Sequence, residues 1–205
     1  MAEPGALAGL EYAQSVTRSW WKERQRALNA VRHALTSHDL SARHDAEWHA
    51  ARQDPLTGVG NRRALDERLT AARDSGRAVT LLAIDVDDLK VVNDTHGHAC
   101  GDQLLQVVAN LLVEQARATD AVIRSGGDEF FVVLDQPDAK GGAQLAERIR
   151  IAVAAIAVTT DQPWLRHLGL SIGYAATAEG VGVDHLVTTA DRRLYDDKRR
   201  HKVRQ

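Results

Sequence analysis

Two clusters of acids set the chemical problem. Asp128 and Glu129 stand directly behind a glycine pair in Arg124-Ser125-Gly126-Gly127-Asp128-Glu129-Phe130, and Asp85, Asp87 and Asp88 close the apolar run that begins at Val79. Gly126 and Gly127 join Ala121-Val122-Ile123 to Phe130-Phe131-Val132-Val133-Leu134, the pattern of a β-hairpin whose tight turn needs positive φ. Alone, the hairpin acids would read as a solvated turn. A strand ending in acids beside a hairpin ending in acids is instead a layout for a magnesium ion on a nucleoside triphosphate.

The elements that must position these groups follow in order. From about Leu7 to Arg52 the chain is alanine-rich and helical in pattern, with Trp21, Leu28, Val31 and Leu35 at near-heptad spacing. Arg24 and His38 interrupt that seam, so a short helical pair or small bundle is expected, with Thr36-Ser37-His38-Asp39 as cap chemistry for a second helix. Its tryptophans call for burial, against the chain's own second domain or against a dimer or regulatory partner. His33, His38, His44 and His49 lack companions at ligand spacing and read as surface residues. Asp54-Pro55-Leu56-Thr57-Gly58-Val59-Gly60-Asn61-Arg62-Arg63 reads as a linker, placing a helical segment at 1–52 and a second domain at 53–205.

Within the second domain the pattern predicts a helix to about Arg73, a strand from Val79 to Asp85 and a ligand-facing loop over 93–102. A helix carrying Leu104, Leu105, Val108, Leu111 and Leu112 on one face comes next, then the hairpin. A helix from Gly141-Gly142 to about Ala157, a strand from Leu168 to Ala176 and a helix from Val183 to Arg199 complete the order. The expected class is α+β, a mostly antiparallel central sheet flanked by helices, with an N-terminal helical extension.

Composition narrows the function. The 205 residues are 44% hydrophobic, and 26 basic against 28 acidic residues give a net charge of −2, so no broad positive field favours nucleic acid. The basic run Lys198-Arg199-Arg200-His201-Lys202 could be a solvated tail or a phosphate clamp. The single cysteine, Cys100, excludes an internal disulfide and a cysteine-rich zinc site. The opening Met-Ala-Glu-Pro-Gly lacks a signal-peptide pattern and no window has the apolar length of a membrane span, so a soluble cytoplasmic protein is the expectation.

From Asp54 onward the chain resembles the GGDEF domain of bacterial diguanylate cyclases. The resemblance rests on Asp54-Pro55-Leu56-Thr57-Gly58 with Asn61-Arg62-Arg63, Asp85-Val86-Asp87, Lys90, Asn93-Asp94, Gly97-His98, Gly101-Asp102 and Gly126 to Phe130. Ser171-Ile172-Gly173 and Ala190-Asp191 with Leu194-Tyr195 and Lys198 extend it. It implies a palm-like, ferredoxin-like nucleotide cyclase fold and the joining of two GTP molecules into cyclic di-GMP by a homodimer of facing half-sites. It further implies that magnesium, or manganese in its place, is held by Asp85, Asp128 and the Val86 carbonyl, with Glu129 activating the ribose hydroxyl or binding a second ion. Gly126 and Gly127 would admit the nucleotide, Asn93 and Asp102 would read guanine, and Lys90, Lys198 and Lys202 would bind phosphate. Arg117-Ala118-Thr119-Asp120 matches the family's R-x-x-D product-inhibition site, with Arg148 as an added contact; the offset from Gly126 favours this over the plainer reading of a helix-terminal arginine. His201-Lys202 replaces a usual Gly-Arg, and Leu89 and His96 stand where aromatics are common. The alternative is a catalytically weak receptor for GTP or cyclic di-GMP, which the intact glycine-acid hairpin disfavours.

Overall fold

The computed structural model describes residues 20, 24, 48, 50–135, 139–166 and 168–202, apart from the side chains of 139, 201 and 202. The chain divides into two compact units, Met1–Ala51 and Arg52–Gln205. Of the first, the described Trp20, Arg24, Trp48 and Ala50 are helical, and Arg24 stacks over the Trp20 ring at 5.2 Å. The expected N-terminal helix pair otherwise lies outside the described residues, as do His33, His38, His44 and His49.

The second unit runs α1 (Arg62–Ser75), β1 (Thr80–Val86), α2 (Leu89–His96), α3 (His98–Gln115), β2 (Ala121–Gly126), β3 (Glu129–Leu134), α4 (Ala139–Thr159), β4 (Leu170–Ala176) and α5 (Val183–Lys202). The strands form one sheet in the order β2-β3-β1-β4, with every neighbouring pair antiparallel. Every residue of β1 is buried, because both faces of this inner strand are covered. Leu82, Ile84 and Val86 pack in one core with Leu104, Val108 and Leu112 of α3 and Leu145, Ile149 and Val153 of α4. Leu81 and Ala83 point the other way, into a core with Leu65 of α1 and Leu186 and Ala190 of α5. An α+β architecture with a mostly antiparallel sheet is therefore what the chain adopts.

Local signals explain the elements that begin and end cleanly. Asn61 caps α1 by accepting from Ala64 N at 3.3 Å, and Gly76, at φ 65°, ends it in the left-handed conformation. Two expectations fail. The stretch 93–102 is not a loop: α2 and α3 occupy it, broken only at Gly97. Nor is 54–61 a free linker, because Gly60 bridges Ile123, Gly60 N donates to Val122 O at 3.0 Å and Arg124 N donates to Gly60 O at 2.7 Å. Backbone bonds to the edge strand β2 hold the proline- and glycine-punctuated segment on the sheet.

Candidate active site

The acids predicted from the sequence meet at one end of the sheet. Asp85 lies in register with Glu129 of β3 on one side and Ser171 of β4 on the other. Val86 N donates to Asp128 O at 3.1 Å, which fastens the hairpin tip to the end of β1. Lys198 of α5 reaches over to Asp85, Nζ to Oδ2 at 2.7 Å. Burial pushes the Asp85 carboxyl above the ordinary aspartate range; the Lys198 hydrogen bond pulls against this, while the charges of Asp128 and Asp87 add to the rise. Asp87 is tied back, accepting from Ser171 Oγ at 2.7 Å and donating its backbone N–H to Gly169 O at 3.0 Å.

The glycine pair makes the turn possible. Gly126 and Gly127 sit at φ 143° and 57°, so side chains there would be strained, and both are exposed where a nucleotide could approach. Arg124 braces the turn from behind. Its guanidinium donates to Gly127 O at 3.0 and 2.7 Å and to both oxygens of Asp54 at 3.0 and 3.2 Å. Burial raises the Asp54 carboxyl, but hydrogen bonds from Thr57 and Arg124 outweigh it and hold the group below the usual range. Neither Asp54 nor Arg124 has a role legible in the sequence, because an ion pair between residues 70 apart has no local signature.

The expected guanine readers are also neighbours. Asn93, half-buried on α2, lays its amide so close over Gly101 that a Cβ at that position would overlap Asn93 Oδ1, and Asp102 follows exposed on α3. Lys90 is exposed in the first turn of α2. Lys202 closes α5, and its side chain lies outside the described residues.

A second cluster occupies the other end of β2. Asp120 accepts from Arg117 N at 2.8 Å and donates its own N–H to Arg117 O at 2.9 Å, closing a tight turn with the Arg117 side chain exposed. Arg148 of α4 donates to Gln115 O at 2.8 Å, which brings it to the same end of α3. Arg68 of α1 donates to Thr119 O within that turn, a contact the sequence did not suggest.

Among the described residues, no three His, Cys, Asp or Glu side chains gather into a metal cage of their own. The fit to a hard divalent cation is of another kind: Asp85 is crowded by Asp128 and Asp87, and this repulsion is what such an ion relieves. Magnesium commonly takes one or two carboxylates and completes its shell with water and substrate phosphate.

Comparison with known proteins places this geometry. The family described as "Diguanylate cyclase, GGDEF domain" matches residues 51–204. The chain belongs to this GGDEF family. It is 33% identical over 205 residues to Diguanylate cyclase DgcP of Pseudomonas aeruginosa, covering 95% of this chain and 30% of DgcP. Among solved structures it is similar to the diguanylate cyclase SiaD from Pseudomonas aeruginosa in complex with its activator SiaC, at 30% identity and TM-score 0.67, covering 95% of this chain and 76% of that one. It is also similar to the coiled coil and GGDEF domain of DgcB from Caulobacter crescentus in complex with c-di-GMP, at 29% identity and TM-score 0.70, covering 84% and 94%. The chain spans about a third of the length of the curated relatives it matches. In this GGDEF domain, as in the described residues generally, no helix is long and apolar enough to cross a membrane.

Proposed function

We propose that the chain condenses two GTP molecules into cyclic di-GMP with release of two pyrophosphates. The observation that carries this reading is Asp85, in register with Glu129 at the hairpin tip and paired to Lys198 at 2.7 Å. Asp85, Asp128 and the Val86 carbonyl would hold magnesium, or manganese in its place. Such an ion, when bound, neutralises triphosphate charge and acidifies the attacking hydroxyl.

The chain's own groups do the rest. Glu129 accepts the proton of the ribose hydroxyl. The new bond joins that oxygen to the partner nucleotide's α-phosphorus as the bridge to the β-phosphate breaks. Lys198 exchanges its Asp85 contact for phosphate oxygens, with Lys90 and Lys202 as further cations. Asn93 and Asp102 meet the guanine edge, a pattern of donors and acceptors that adenine cannot satisfy. Gly126 and Gly127 keep the hairpin tip open to the nucleotide.

Each domain presents one half-site, so two copies must face each other. The segment 1–52 then serves as a dimerisation or regulatory element that raises the partner's effective concentration. The likeness to a cyclase solved with its activator, extending over 95% of this chain, supports a regulatory protein as a partner. Arg117 and Asp120, with Arg148 of α4 reaching the end of α3 beside them, form the product-inhibition site in this reading.

The test is GTP turnover with magnesium across a range of protein concentrations, quantifying both products, with Asp128→Ala as control. Output rising more steeply than protein concentration, and lost in the control, is expected; Arg117→Ala should raise the cyclic di-GMP level that halves the rate. Nucleotide binding without product would replace this reading with a receptor.

A further inference from the structure

At the outer edge of the sheet, next to the candidate site, one carboxylate oxygen joins three elements. β4 is an edge strand, whose outward backbone groups find no neighbouring strand. The N–H of Ile172 in β4 donates to Asp197 Oδ2 at 2.9 Å, and the same oxygen accepts from Arg150 Nη2 at 3.1 Å. Arg150 belongs to α4, whose apolar side packs on one face of the sheet, and Asp197 to α5, which packs on the other. The contact therefore wraps the free edge of β4. The Asp197 side chain is 14% exposed, while that of Arg150 is 36% exposed.

The contact sits one residue away from the chemistry at both ends. Lys198, next after Asp197, pairs with Asp85; Ser171, just before Ile172, lies opposite Asp85 in the β1–β4 register. About one turn earlier, α5 already touches β4 with its backbone: a Cβ on Gly173 would run into Ala190 O and Leu194 N. Contact at Gly173 sets how close the helix lies, and buried Leu186 and Ala190 together with the Arg193 bond to Tyr174 O hold its earlier turns. Asp197 ties the last turns, the part of the helix that carries Lys198. A lysine has a long flexible stem, and its ammonium is useful only where the helix beneath it is held.

We infer that Asp197 is a positioning residue, which through Ile172 and Arg150 fixes the point at which Lys198 delivers its ammonium to Asp85 and to the substrate phosphate beside it. The inference rests on the function proposed above for Lys198. Asp197→Ala is expected to weaken GTP binding about tenfold, in the range for losing a charge-assisted hydrogen bond. Asp197→Asn keeps an acceptor for Ile172 N–H and recovers most of that loss, while Arg150→Gln costs less than Asp197→Ala.

The experiment is a double-mutant cycle with Lys198→Ala, measured by equilibrium binding of a fluorescent GTP analogue to the full chain, with KM and kcat determined separately and amide exchange followed at Ile172. If Asp197 acts through Lys198, Asp197→Ala adds nothing to Lys198→Ala, raises KM more than it lowers kcat, and speeds exchange at Ile172. An equal loss of affinity in both backgrounds, or a fall in kcat matching the folded fraction at unchanged KM, overturns the inference. Wild-type protein that neither binds nor converts GTP overturns the proposed function itself. Unchanged exchange at Ile172 in Asp197→Ala overturns the contact without touching that function.

Discussion

Replacing Arg124 by methionine removes the brace behind the hairpin while keeping most of the aliphatic stem. In the native fold the guanidinium makes two contacts with Asp54 and two with Gly127 O, and the two charged side chains are only 11% and 14% exposed. The substitution strands a largely buried carboxylate, whose remaining partner is Thr57 through its backbone N–H at 3.0 Å and Oγ1 at 2.6 Å. Breaking a buried pair from one side costs about 3 kcal/mol, and the Thr57 bonds reduce this to about 2 kcal/mol. For a domain of this size the melting temperature should fall by about 4 to 8 °C. The pH dependence has a definite sign. Asp54 is held below its ordinary range, so its contribution is present above the unfolded aspartate pKa and is lost as pH falls through the depressed folded value. The gap between wild type and Arg124→Met is therefore widest near neutral pH and closes in acid. Thermal melts over this pH range, repeated in an Asp54→Asn background, check the reasoning. Equal losses with and without the Asp54 charge, or a gap that widens in acid, would refute it.

Three further outcomes follow from contacts at the site. Gly101→Ala places a methyl where the Asn93 amide lies, so GTP binding and the preference for guanine over adenine nucleotides should both weaken by about tenfold, read by competition binding. Gly173→Ala sets a Cβ against the α5 backbone, where nothing flexible can give way; a loss of about 2 to 4 kcal/mol is expected in denaturant unfolding, and an unperturbed midpoint would contradict the packing. Asp85 has a raised folded pKa, so the stability linked to it is present below the unfolded value and lost as pH rises through the folded one. Asp85→Asn should accordingly melt no lower than wild type at neutral pH without divalent ions while losing turnover, and a clear drop in melting temperature would show that the Lys198 pair outweighs the burial.

Where the sequence was readable, a short-range rule was at work. The glycine hairpin, the helix to about Arg73 and the strand from Val79 to Asp85 each follow from constraints spanning a few residues. The helix Leu89–His96 was not readable. It is short, its Val91, Val92 and Thr95 favour strands, and its N-cap, Asp88 at φ 56°, makes no side-chain capping bond. Its neighbour α3, reached across Gly97, supplies the packing that its own sequence does not announce. Segment 54–61 misled for a related reason: proline and glycine mark where a chain bends, and say nothing of the strand its backbone will meet.

The sequence by itself determined the chemical inventory of this GGDEF domain: two acid clusters, a glycine turn to expose one of them, the amide of Asn93 and the acid of Asp102, and a basic final helix. It also determined the element types outside 89–102, because helix and strand periodicities are local. Only the tertiary structure decided which groups meet. Lys198 on Asp85, Arg124 between Asp54 and Gly127, and Asp197 across the edge of β4 all join residues distant in the chain. Such pairings are set when the sheet buries both faces at once and fixes strand order and register, and that selection is made by the packing of the whole domain.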